Sequence, residues 1–141
     1  MLNLPQTADY ALRAVSYIAE HQATGPVSVT TVAQALDAPQ NYLSKTLYQL
    51  GELGLLASVR GARGGYRLAR SPDQVRLAAI VEPFLPAPDN HCIMGHPRCP
   101  DTVPCGAHRR WKKVQDTARS FFSDLSLADL LNGARPSRTH R

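Results

Sequence analysis

Residues 55–69 read Leu55-Leu56-Ala57-Ser58-Val59-Arg60-Gly61-Ala62-Arg63-Gly64-Gly65-Tyr66-Arg67-Leu68-Ala69. Two short apolar segments of strand-like composition flank a tip rich in glycine and arginine, which is the pattern of a β-hairpin. Glycines at the tip, Gly64 and Gly65 among them, let the backbone come close to a surface. Arg60, Arg63 and Arg67 offer cations to phosphates or to a minor groove. An ordinary exposed hairpin has the same local pattern, so its meaning comes from what precedes it.

Three helical patterns precede it. The first helix is expected from about Thr7 or Ala8 to about Gln22, with Ala11, Ala14, Val15, Ile18 and Ala19 forming one buried stripe. Thr24-Gly25-Pro26 ends it, and Ser28 is placed to cap a short second helix with Val29, Val32, Ala33 and Leu36 on its apolar face. Asp37-Ala38 makes a tight turn, and Pro39 suits the first turn of a third helix that buries Leu43, Leu47, Leu50 and Leu53. The opposite face of that helix shows Gln40, Asn41, Ser44, Lys45 and Gln49. Short amides and hydroxyls of this kind read base edges, and a lysine holds phosphate, although a plain solvated face looks similar in isolation. Helix, short helix, polar-faced helix and basic hairpin in this order specify a winged helix-turn-helix head.

Beyond the hairpin, Ser71-Pro72-Asp73 turns the chain into a short fourth helix over roughly 77–82, which Pro83 weakens and Pro86-Ala87-Pro88 stops. The segment from His91 to Cys105 then holds all three cysteines of the chain, spaced C-x6-C-x5-C among prolines and histidines. Thiolates gathered on an irregular loop suit a soft metal or an iron–sulfur cluster, because the loop can wrap the ion and turn several sulfurs inward. A long helix is expected from about Gly106 to Phe122 or Ser123, with Trp111, Val114, Ala118, Phe121 and Phe122 on one side. A single long helix with one aromatic stripe, following a completed head, fits antiparallel pairing across a two-fold axis. Packing back on its own head is the alternative. Ser126-Leu127-Ala128-Asp129 resembles a capping box opening a short last helix.

The expected fold class is therefore mainly α with a small β-wing: a winged helix-turn-helix head plus a long C-terminal dimerisation helix. Residues 1–85 form the DNA-binding head, 86–105 the cysteine loop, 106–132 the dimerisation and terminal helices, and 133–141 a polar, basic, disordered tail. At 141 residues, this is one compact domain with a protruding element. No apolar run is long enough to span a bilayer, and the N-terminus lacks signal-peptide features, so a soluble, cytoplasmic protein is expected. An odd count of three cysteines in a reducing compartment points to metal or redox chemistry rather than a structural disulfide. The excess of 16 Lys+Arg over 11 Asp+Glu, a formal +5, suits a polyanionic partner.

Several of these segments together resemble the Rrf2 family of winged-helix regulators, which includes the iron–sulfur cluster regulator and the nitric-oxide-sensing repressor. The resemblance runs to about residue 132. It is carried by Thr7-Ala8-Asp9-Tyr10-Ala11-Leu12-Arg13, Tyr42-Leu43, Leu53-Gly54-Leu55-Leu56 and Val59-Arg60-Gly61. Gly64-Gly65-Tyr66-Arg67-Leu68, the cysteine loop and Ser126-Leu127-Ala128-Asp129-Leu130 complete it. It implies a homodimer on a double-stranded DNA operator, with one [4Fe–4S] or [2Fe–2S] cluster per subunit near the other subunit's first helix. It places Asn41, Ser44 and Lys45 in the major groove and Arg60 in the minor groove. It implies Cys92, Cys99 and Cys105 as cluster ligands, with a fourth from either Asp9 of the partner subunit or His108. The first cysteine spacing is longer than in the family members with which it compares. The N-terminal run and the wing lean toward the nitric-oxide sensor, hence toward a repressor answering nitric oxide or redox stress.

Other readings weigh less. Cys92, Cys99, Cys105 and His108 make an acceptable tetrahedral zinc set, and a cluster-free thiol regulator would carry the same cysteines. His91 and His96 match no ligand position in the family. A head that binds a partner protein would have little use for the wing arginines and the polar helix face. An enzyme is disfavoured, since no nucleophile–base pair, phosphate loop or paired carboxylates stand at a useful spacing, and C-x6-C is not a C-x-x-C dithiol.

Overall fold

The computed structural model describes residues 4–85, 93–94 and 104–133. Cys92, Cys99, His91, His96 and the tail beyond Gly133 lie outside these residues. The order is α1 (Gln6–His21), α2 (Val29–Leu36), α3 (Gln40–Glu52), β1 (Leu56–Val59), β2 (Gly65–Leu68), α4 (Leu77–Val81), α5 (His108–Asp124) and α6 (Leu127–Leu131). Helices dominate, and β1 and β2 make a two-stranded antiparallel sheet. This is the winged helix-turn-helix expected from the order of the segments.

α1 is central because its buried face is built of small residues. Ala8, Ala11, Ala14, Val15 and Ile18 are buried, which lets α2, α3, α4 and β2 pack closely around it. On α2, the hydroxyl of Ser28 accepts from the Thr31 N–H at 3.1 Å, so the helix starts where its capping residue predicts. It stops at Asp37, whose φ of 51° reverses the chain. Pro39 precedes α3 rather than occupying its first turn, and Leu43, Thr46, Leu47 and Leu50 form the buried face.

Leu53 corrects the sequence reading: it is 47% exposed. The cause is the way α3 ends. Gly54, at φ +76°, donates to the Gly51 carbonyl at 3.0 Å, and Leu55 donates to the Leu50 carbonyl at 3.1 Å. This paired capping turns the chain so that Leu55 packs back into the core and Leu53 faces out.

The wing pairs Leu56 with Leu68 and Val59 with Gly65. It is fastened to the head at two points. Val27 and Tyr66 exchange backbone hydrogen bonds, each 2.8 Å, and the Gln22 side-chain oxygen accepts from the Leu68 N–H at 2.8 Å. The C-terminal part is fastened differently. Leu77 donates to the Leu125 carbonyl at 3.0 Å and Leu127 to the Val75 carbonyl at 2.7 Å, a short antiparallel clip reinforced by Arg76 on the Asp124 carbonyl at 2.9 Å. Leu127 is fully buried, so α6 closes the core of the head.

Candidate functional site

On α3 the buried side chains occupy one face, and the polar residues named from the sequence occupy the other. Gln40, Asn41, Ser44, Lys45 and Gln49 are all exposed. Gln40 differs from the rest, among the described residues, in having a partner within the head, since its amide donates to the Thr30 hydroxyl at 3.0 Å and joins the starts of α2 and α3. Asn41, Ser44, Lys45 and Gln49 are turned to solvent, available to a groove. The sequence reading missed Tyr48, which is 65% exposed between them. Its spacing was the available signal, being seven residues after Asn41 and four after Ser44 on a helix.

Arg60 and Arg63 stand exposed at the wing tip, and Arg67 is exposed on β2. Charge is concentrated here. Between Ala38 and Pro72 the cations are Lys45, Arg60, Arg63, Arg67 and Arg70 against the single acid Glu52, which accounts for +4 of the chain's formal +5. A surface so biased attracts a polyanion over a Debye length of about 8–10 Å.

Gly64 and Gly65 have a role that the hairpin pattern does not display. A Cβ on Gly65 would overlap the Val27 carbonyl, and one on Gly64 would overlap the Val59 carbonyl. The pair is therefore demanded by the wing's close approach to the Val27 backbone and by its own turn, independently of any surface outside.

The candidate metal ligands are only partly within the described residues. Cys105 is exposed immediately before α5. His108 begins α5, and its N–H donates to the Cys105 carbonyl at 3.1 Å, which puts the two residues within one turn. His108 is 9% exposed and is the buried residue of α5. Asp9 is about half exposed on the first turn of α1 and meets Arg13 at 3.5 Å. Among the described residues, no three His, Cys, Asp or Glu side chains gather as a metal site.

α5 presents its expected apolar stripe unevenly. Trp111, Ala118 and Phe122 are half-buried, and Phe122 packs against the head's core. Val114 and Phe121 remain 38% and 52% exposed. One edge of the helix thus packs on its own head and another is open.

The family Rrf2, described as iron-dependent transcriptional regulator, matches residues 4–133. An HTH-type transcriptional regulator of Aquifex aeolicus is 31% identical over 129 residues, covering 89% of each chain. The HTH-type transcriptional regulator IscR of Aliivibrio salmonicida is 28% identical over 130 residues, covering 92% of this chain and 77% of its own. Among solved structures, IscR of T. potens superposes with a TM-score of 0.76 at 26% identity, covering 99% of this chain and 93% of that one. CymR, the global cysteine regulator of B. subtilis, shares the fold with a TM-score of 0.74 at 23% identity, covering 96% and 100%.

Proposed function

Because the chain belongs to the Rrf2 family of DNA-binding transcription regulators, we propose that it is a repressor whose operator binding is governed by an iron–sulfur cluster on its cysteine loop, with nitric oxide or redox stress as the signal. The observation that carries this reading is the end of the loop: an exposed thiol at Cys105 one turn ahead of the buried His108, at the entrance to α5.

The donor set fits the group chemically. Thiolates of Cys92, Cys99 and Cys105 are soft ligands of the kind iron–sulfur clusters take. His108 or Asp9 of the partner subunit would complete the set through nitrogen or oxygen. A bound cluster supplies an iron centre that reacts with nitric oxide and with oxidants. The chain's own residues supply the rest. Asn41, Ser44 and Lys45 meet the major groove and Arg60 the minor groove, while the second head comes from a homodimer formed through α5. A packed route from α5 to the wing supports communication between them. α5 is clipped to the 75–77 segment, α4 packs on α1, and the end of α1 runs into Gln22, which holds the wing through Leu68.

The test is an anaerobic ultraviolet–visible spectrum with iron and sulfide counted per chain, repeated after nitric oxide. Broad visible charge-transfer absorption that collapses with nitric oxide, together with a change in operator affinity, is the expected result. Asp9→Ala and His108→Ala then identify the fourth ligand, by which variant loses the absorption. A colourless protein holding zinc, or one that takes up no iron on anaerobic reconstitution, overturns the cluster and leaves a zinc- or thiol-dependent DNA binder.

A further inference from the structure

We infer that Tyr48 is a sequence-reading residue of the recognition helix, set to contact base edges beyond the reach of Asn41 and Ser44. This rests on the family's DNA binding through α3 and extends it to a side chain that the polar pattern does not include.

Three observations carry it. First, direction: at about 100° per residue, Tyr48 falls within about 20° of Asn41 around α3, and Ser44 and Lys45 flank that line. Leu43, Leu47 and Leu50, all fully buried, lie on the far side. Tyr48 therefore sits in the middle of the outward face and not at its edge. Second, exposure: the side chain is 65% exposed and makes no ring contact or hydrogen bond among the described residues, whereas Tyr10 and Tyr42 meet edge to face at 5.5 Å. An aromatic ring left in water forgoes the burial its area would allow, so it contributes nothing to the fold that a lysine or glutamate would not. Third, reach: seven residues of helix place Tyr48 about 10.5 Å beyond Asn41, or roughly three base-pair steps. A straight helix entering a curved groove by its N-terminal end withdraws from the base edges along its length. Short Asn and Ser side chains suffice near the start, and a long one is needed further on. The ring suits a thymine methyl group, and the hydroxyl can donate to or accept from a base edge.

The experiment selects binding duplexes from random-sequence DNA with the full-length, anaerobically prepared protein, then repeats the selection with Tyr48→Ala, Tyr48→Phe and Lys45→Ala. Circular dichroism melts check folding, and Tyr48's exposure predicts unchanged curves. The expected outcome is a wild-type motif in which a few positions lose their base preference in Tyr48→Ala while the others keep theirs. Affinity for the wild-type motif then falls roughly tenfold. Tyr48→Phe separates the two parts of the side chain: flattening with Tyr48→Ala but not Tyr48→Phe assigns the reading to the ring, and flattening with both assigns it to the hydroxyl. An unchanged motif with Tyr48→Ala, whether affinity is retained or falls equally for all sequences, overturns the inference. In that case Lys45→Ala still weakening binding would leave the DNA-binding reading of α3 standing. A wild-type protein that enriches no duplex overturns both.

Discussion

Asp129 shows how one side chain can be placed by its neighbours in sequence alone. It opens α6 in a reciprocal cap: the Ser126 N–H donates to its carboxylate at 2.9 Å, and its own N–H donates to the Ser126 hydroxyl at 3.1 Å. The Ser126 backbone N–H, then the Ser126 hydroxyl, hold the Asp129 carboxyl below the usual aspartate range, with a smaller contribution from Arg76. A carboxyl whose folded pKa is lowered stabilises the fold fully above its unfolded pKa, and that contribution disappears as pH falls through the folded value. Asp129→Asn is therefore expected to lower the melting temperature at neutral pH and to lose its effect as pH falls below the ordinary aspartate range. Ser126→Ala should cost about 1 kcal/mol through the lost cap. Thermal unfolding followed by circular dichroism across that range checks both. An Asp129→Asn penalty that stays constant down to the acid limit would mean that the carboxylate charge plays no part.

At the scale of elements, the ends matter more than the middles. The motif Leu53-Gly54-Leu55-Leu56, one of the segments that carry the family resemblance, is also a mechanical joint: Gly54 at φ +76° lets α3 end and β1 begin with Leu55 and Leu56 buried. Adding a Cβ at that φ costs about 1–2 kcal/mol. Gly54→Ala should lose stability by that amount in urea unfolding, although nothing lies within 4 Å of the new methyl group, so the penalty is conformational and not steric. A loss below a few tenths of a kcal/mol would show that the joint accepts another backbone path. The wing's glycine pair makes a different demand, one of space, set at Gly65 by the Val27 backbone that pairs with the wing and at Gly64 by the Val59 carbonyl of the wing's own turn.

For the whole molecule, the open edge of α5 is decisive. α5 spans about 25 Å and α4 only about 7.5 Å, so the short helix clipped beside it covers a fraction of its length. Phe121 and Val114 are left exposed on it. Burying one Phe side chain is worth about 1.5–3 kcal/mol, and a two-fold axis counts that residue twice. If α5 forms the homodimer, Phe121→Glu should raise the dimer dissociation constant roughly a hundredfold or more. Sedimentation velocity would report a monomer at micromolar protein, and operator binding would weaken with it. A variant that sediments as the wild type would place the dimer contact elsewhere. Phe122, packed on the head's core, is the wrong residue for this test because its loss acts on folding.

What could be read from the order of residues was whatever repeats or terminates within a few positions. The helical stripes, the Ser28 and Ser126 caps, the hairpin and its arginines, and the polar face of α3 are all set by spacings of two to four residues. The fold class and the exposed polar face of α3 follow from these. Tertiary structure alone decided which of several equivalent positions is covered. Leu53 continues an apolar stripe and yet faces out, because α3 ends in a turn. His108 is a polar first-turn residue and yet is the one that α5 buries. Gly65 looks like part of a flexible tip and yet is held against the Val27 backbone far away in sequence, and Tyr48, which the polar pattern does not include, stands exposed on the same face as Asn41 and Ser44. Backbone geometry is governed by neighbours along the chain, whereas burial is governed by whichever remote element arrives, and local spacing carries no record of that arrival.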